Sequence, residues 1–147
     1  MSALMEFDEY IKRGIVRKCS PDKSRAEFLI NESKNSLEGL KEIIKKIGIN
    51  NKNSNHLIKS CYDIVMEIIR ANMLLKGYTS SGQYSHEAEV SYIQKLEFSQ
   101  NEISFLNELR YFRNSATYYG KILNEDYAKK VLNFTYKIYP KLMNILN

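Results

Sequence analysis

The sequence predicts an all-α protein: an up-and-down four-helix bundle with a short N-terminal helix and a short helix near 86–96. Three observations carry this expectation. Apolar residues recur at spacings of three and four along nearly the whole chain, and no long stretch alternates with period two. Glycines, asparagine-rich turns and a Ser-x-x-Glu signature separate the periodic runs, where helices stop and start. The connections are mostly short, which makes consecutive helices antiparallel neighbours.

Segment 2–18 carries Leu4, Phe7, Ile11 and Ile15 on one stripe and reads as a short amphipathic helix. Ser20, Pro21 and Asp22 then form a helix start: a capping hydroxyl, a ring suited to the first helical position, and a carboxylate for the positive end of the dipole. The helix that follows runs to about Ile47, with Ala26, Leu29, Ile30, Ser33, Leu37, Leu40, Ile43, Ile44 and Ile47 in line. Small Ser33 would let another helix approach closely. Gly48 is its stop, and 50–55 is a polar loop at the tip of a helical hairpin.

Residues 55–76 form the most apolar run. Its apolar positions cover more than half of the helix circumference, so this helix belongs at the centre. Gly77 ends it, 78–84 is a loop, and Ser85 can cap a short helix holding Val90, Ile93 and Leu96. Ser99 and Glu102 make a capping box that opens a helix with Ile103, Leu106, Leu109, Phe112 and Ala116, stopping near Gly120. Asn124 caps the last helix, whose buried face is Ala128, Val131, Leu132, Thr135, Ile138, Leu142 and Leu146. Pro140 lies inside that pattern and is expected to kink it.

The 147 residues suit one domain spanning 1–147, and no internal repeat or interdomain linker divides them. A chain of this size hides about two thirds of its unfolded surface and can build a core without staples. The formal charge of +5 favours an encounter with RNA, DNA or an anionic surface without demonstrating one. No run of 18 apolar residues exists, and the acidic N-terminus is not a secretory signal; the expected setting is the cytoplasm, with both cysteines reduced and no membrane contact.

Two cysteines and two histidines do not make a metal site by spacing, and no metal or other cofactor is expected. Cys61 falls in the apolar stripe and reads as packing; Cys19 stands at a helix entrance. His56 lies in the polar loop. His86 follows Ser85 at a helix start, where it either bonds to backbone or serves a site. The unusual segment is Leu109 to Gly120, which places Arg110, Arg113, Asn114 and three tyrosines (Tyr111, Tyr118, Tyr119) late in one amphipathic helix. Arg113 is four residues after Leu109 and seven after Leu106, so it sits on or beside the buried stripe, where a cation must be paired. One reading pairs it with a carboxylate of a neighbouring helix, such as Asp63 or Glu67. The other lets it face a groove or dimer cleft and grip phosphate through its fork. Aromatics interleaved with arginines also suit stacking of unpaired bases.

These segments together resemble the HEPN family, helical domains found in many microbial ribonuclease toxins. The resemblance rests on Tyr62-Asp63 with Ala71, Leu74, Leu75 and Gly77 in the central helix, on Ser85-His86-Glu87-Ala88 after a glycine-containing loop, on the segment Leu109–Gly120, and on helix order and length. It covers nearly the whole chain. It implies a homodimer with RNA cut without metal in a cleft where the Arg and His of two protomers meet.

The family's motif is an Arg followed four to six residues later by His. Arg113 and Asn114 match its start, but Tyr118, Tyr119 and Gly120 occupy the places where the His would fall. Histidine titrates near pH 6.5 and shuttles protons at neutral pH; tyrosine titrates near 10 and is a poor base there. Losing general acid–base help costs about 10²–10⁴-fold. The expected catalytic set is therefore a degenerate Arg113, Asn114 and Tyr118, with Arg110, Arg113, Tyr111, Tyr119 and His86 as binding residues. On an ideal helix Arg113 and Tyr118 point about 140° apart. Sharing one pocket requires the helix to unwind before Gly120 or a second protomer to contribute.

The function so implied is a dimeric RNA- or nucleotide-binding protein of ribonuclease or toxin–antitoxin type, weak or inactive as an endoribonuclease. The alternative is a non-catalytic adaptor or nucleotide-binding module that pairs with a minimal nucleotidyltransferase or another protein. A helical bundle of unrelated ancestry, with Arg113 in a structural ion pair, is the third reading.

Overall fold

The computed structural model describes residues 3–118 and 124–146, without the side chains of 114–118. Its elements in chain order are α1 (Phe7–Lys12), β1 (Val16–Lys18), α2 (Lys23–Ile47), α3 (Ser54–Leu75), β2 (Tyr78–Ser80), α4 (Ser85–Tyr92), α5 (Gln100–Tyr118) and α6 (Glu125–Ile145). A single 3₁₀ turn, Ile93–Lys95, extends α4.

Helix α3 is the centre. Fourteen of its 22 residues are buried, and they cover most of its circumference. Ala26 of α2 packs against Ala71 and Leu74 of α3, so the early part of α2 meets the late part of α3. On α6, the Tyr139 hydroxyl lies 3.0 Å from the buried Ser33 hydroxyl of α2. The small residue that the pattern marked as a close-approach point thus also provides a buried hydrogen bond. Helices α5 and α6 run in opposite senses: Lys141, late in α6, donates to Glu102 at the start of α5 (2.9 Å), and Tyr127, early in α6, donates to Glu108 (2.7 Å).

Several termini follow local chemistry. The capping box is complete: the Ser99 amide donates to Glu102 Oε1 (2.9 Å) and the Glu102 amide to Ser99 Oγ (3.1 Å). Asn124 Oδ1 accepts from the Tyr127 amide at the start of α6. At α2 the cap is Asp22, whose carboxylate accepts from the Arg25 amide, rather than Ser20. Tyr84, not Ser85, is the residue before α4, and its side chain makes no capping bond. Gly77 follows α3 with φ +81, the left-handed conformation that a helix stop favours. Gly120 lies outside the described residues. Helix α6 continues through Pro140.

The N-terminal segment departs from expectation. Only Phe7–Lys12 of the stretch 2–18 is helical, and Val16–Lys18 pairs antiparallel with Tyr78–Ser80, within the expected loop after α3. Gly14, at φ +74, turns the chain out of the helix. The ribbon is extended by hydrogen bonds from the Cys19 amide to the Gly77 carbonyl (2.8 Å) and from the Ser81 amide to the Ile15 carbonyl (3.1 Å). Buried Val16 anchors it to the core.

Gly77 has no room for a side chain. A Cβ there would stand 2.6 Å from the Cys19 carbonyl oxygen, and its φ is unfavourable for any L residue. Gly77→Ala is expected to cost about 2 kcal/mol or more, measured by urea denaturation; an unchanged midpoint would show that the strand pairing is soft. At Glu102, partial burial opposes the charge, but hydrogen bonds from Lys141 and Ser99 outweigh it and hold the carboxyl below its usual range. A depressed carboxyl stabilises the fold above its unfolded pKa and loses that contribution as pH falls through the folded value. Glu102→Gln should therefore lower stability by about 1 kcal/mol at pH 7. The gap from the unmodified protein should close below about pH 4, and a gap that persists at pH 3 would point to packing instead.

Candidate functional site

Leu106 and Leu109 are fully buried and fix the rotation of α5 about its axis. This rotation carries Arg110 and Arg113 to the border between the core and the surface. The two arginines meet different surroundings there.

Arg110 is enclosed. Its side chain is 12% exposed; its Nε donates to Asn107 Oδ1 (3.0 Å) and its Nη2 lies 3.6 Å from Glu87 Oε1 on α4. The other Glu87 oxygen accepts from the Tyr10 hydroxyl at 2.6 Å, and that hydroxyl accepts from the Met5 amide. A chain of polar contacts thus ties the N-terminal segment, α4 and α5 together. Burial, reinforced by the hydrogen bond to Glu87, pushes the Tyr10 hydroxyl up to about 12, so it stays a donor at any ordinary pH.

Arg113 is more open. Its Nε lies 3.7 Å from Asp63 Oδ1 of α3, with side-chain exposures of 31% and 50%. That distance gives charge attraction but is long for a hydrogen bond. Of the two carboxylates considered from the sequence, Asp63 is the one Arg113 approaches. The Glu67 carboxyl is raised by partial burial and by the neighbouring Glu32 charge.

His86, exposed at the start of α4, stacks on Tyr62 with ring centres 6.1 Å apart, and its Nδ1 lies 3.4 Å from the Tyr62 hydroxyl. Tyr62 is buried on α3. Desolvation and the nearby Glu89 carboxylate raise its hydroxyl pKa, while the positive charges of Arg110 and Arg113 pull the other way. Tyr62 thus stacks on the imidazole and carries a hydroxyl on which both guanidinium charges act, and it belongs to the site although the sequence reading used it only as part of a family-like helix. Tyr10 and Glu87 are further members. Glu87 had one visible signal, a carboxylate in the first turn of a helix beside His86; Tyr10 had none, because its partner is 77 residues away.

Tyr111 is 41% exposed on α5, its ring against Phe112. The side chains of Asn114 and Tyr118, and Tyr119 altogether, lie outside the described residues. The backbone of α5 stays helical through Tyr118, so it does not unwind before that position. Cys61 is fully buried, and burial raises its thiol to about 11, which leaves it unreactive; Cys19 is exposed. Among the described residues, no three His, Cys, Asp or Glu side chains gather as metal ligands would, and no helix is long and apolar enough to cross a membrane.

The exposures rank the two cations. A solvent-screened pair such as Arg113–Asp63 contributes up to about 1 kcal/mol. Removing one member of an enclosed pair such as Arg110–Glu87 costs several times as much, because the remaining charge loses both partner and water. Glu87→Ala is expected to destabilise by about 3 kcal/mol, and Asp63→Ala by less than about 1, both measured by chemical denaturation. Equal losses would mean that the two arginines are equally enclosed.

Comparison with family models, with curated proteins and with solved structures finds no match to this chain.

Proposed function

We propose that the protein is a HEPN-like homodimer of the cytoplasm that binds RNA or a nucleotide at the α5 face around Arg113, with ribonuclease chemistry weak or absent. The observation that supports this reading is that α5 holds Arg110 against Glu87 of α4 and Arg113 near Asp63 of α3, while His86 of α4 stacks on Tyr62 of α3, where the three helices meet. An up-and-down four-helix bundle is the framework assumed, supported by the opposite senses of α5 and α6 and by the packing of early α2 on late α3.

In this reading Arg113 supplies the phosphate contact. Its screened attraction to Asp63 is weak enough to be exchanged for a phosphate, whose bidentate bonds to a guanidinium are stronger. Arg110 stays in place and contributes field rather than a direct bond. Exposed Tyr111 offers a stacking surface. His86 is the imidazole available for proton transfer, since none follows Arg113 along α5.

A second reading is favoured by one feature. With Arg110 enclosed by Glu87 and Asn107, half of the expected cationic pair is already committed. A non-catalytic adaptor that pairs with a minimal nucleotidyltransferase, or another protein, would need no more than one accessible arginine.

The two readings separate in one experiment. Single-stranded RNA binding by the purified protein should weaken linearly with the logarithm of salt concentration. Arg113→Ala should reduce binding about tenfold, and sedimentation at micromolar concentration should give about twice the 17.2 kDa chain mass. Cleavage without added metal should be slight, should fall further in His86→Ala, and should rise in Tyr118→His. A clean monomer without RNA affinity overturns the proposal. Robust cleavage that survives His86→Ala would show that the missing histidine is not the limitation.

A further inference from the structure

A second polar cleft lies beyond this site, between the first turn of α2, the last turns of α3, strand β2 and the start of α4. It holds about 260 Å³ and shares no residue with the Arg110–Arg113–His86 cluster.

Its inner wall is a fixed ion pair. Glu89 is almost fully buried, and Arg70 grips it with two parallel bonds, Nε to Oε2 at 2.8 Å and Nη2 to Oε1 at 3.0 Å. Ser80 Oγ adds a third bond, 3.1 Å to Oε2. The carboxylate is thereby neutralised and its acceptors are largely used. Arg70 is not exhausted. A guanidinium has five N–H donors; two go to Glu89, while the side chain remains 30% exposed where it lines the cleft. The bidentate grip fixes the plane of its fork, so its remaining donors are held in one direction.

The lining brings a second cation. Arg25 is exposed, lines the same cleft, and its guanidinium makes no hydrogen bond or ion pair among the described residues. Ser85 also lines the cleft, and its hydroxyl is unengaged among those residues. The charged lining is therefore two guanidinium groups against one carboxylate that is already satisfied. Its frame is hydrogen-bonded: β2 pairs with β1, and the Cys19 amide donates to the Gly77 carbonyl.

We propose that this cleft binds a phosphate monoester, held by the Arg70 and Arg25 guanidinium groups with Ser85 as a hydroxyl donor. Two planar forks and a hydroxyl offer more donors than a carboxylate can accept, and they suit the three terminal oxygens of a monoester. Arg70 is prealigned by Glu89, so little ordering remains to be done on binding. The monoester belongs either to a free small molecule or to the end of a nucleic acid.

The test uses the whole chain with arginine side chains labelled for NMR, and three probes: AMP, adenosine, and a short oligoribonucleotide with or without a 5′-phosphate. AMP should shift the Arg70 Nε–H resonance saturably and adenosine should not. Arg25→Gln alters an exposed side chain and leaves the Glu89 pair intact; it should weaken AMP binding, read at Arg70, about tenfold. A shift with the 5′-phosphorylated oligonucleotide but not its 5′-hydroxyl form assigns the ligand to a nucleic-acid end; a shift with AMP alone assigns it to a small molecule. The proposal is overturned if AMP moves Arg70 no more than adenosine does, or if folded Arg25→Gln binds AMP like the unmodified chain. Repeating the AMP titration on Arg113→Ala separates this cleft from the α5 face: the Arg70 shift should persist, and its loss would overturn the proposal.

Discussion

Helix α3 passes through the middle of the protein, and 14 of its 22 residues are buried. Every polar group it carries must therefore find a partner in the fold or lie at its exposed edge. Asn72 returns its amide to the Ile68 carbonyl of its own helix. Asp63 and Arg70, seven residues apart and hence on one face, reach outward to Arg113 on α5 and Glu89 on α4. Both candidate binding regions are thus built where the polar edge of one buried helix meets its neighbours. The same burial that makes α3 the core dictates that ionisable groups collect along its border.

This constraint explains which parts were legible in the sequence. Helices α2, α3, α5 and α6 carry their signals locally, in apolar spacing and in caps such as Ser99 with Glu102 or Asn124, whose bonds span three residues. The β1–β2 pairing had no such signal. Each strand is three residues long, too short to display a period of two, and the partners are separated by sixty or more positions. The stripe Leu4, Phe7, Ile11, Ile15 fits a helix equally well, and Gly14 decides otherwise by turning the chain at φ +74.

The site was legible in its residues rather than in its connections. Arg113 announces itself because a cation stands beside an apolar stripe, and pairing with Asp63 was one of the two outcomes that position allows. The enclosure of Arg110 could not be read, because it depends on Glu87 and, through it, on Tyr10, which lies a hundred residues upstream of Arg110. Nor could the stacking of His86 on Tyr62. Spacing shows which residues share a helix face; it does not show which face of another helix they will meet.

Charge pairing also separates the arginines by what each can do. In Arg110–Glu87 and Arg70–Glu89 the carboxylate is enclosed, so exchanging it for a ligand would strand a buried anion. These two pairs act as fixed scaffolding. Arg113 faces a carboxylate that is half exposed and can return to water when its partner leaves. Arg25 begins without a partner among the described residues. A more exposed guanidinium and a more enclosed one therefore occur in each candidate region, Arg113 with Arg110 and Arg25 with Arg70. An enclosed ion pair fixes the position of its cation, whereas a cation at the surface keeps contact with water, so the two members of each couple are suited to different parts of holding an anion.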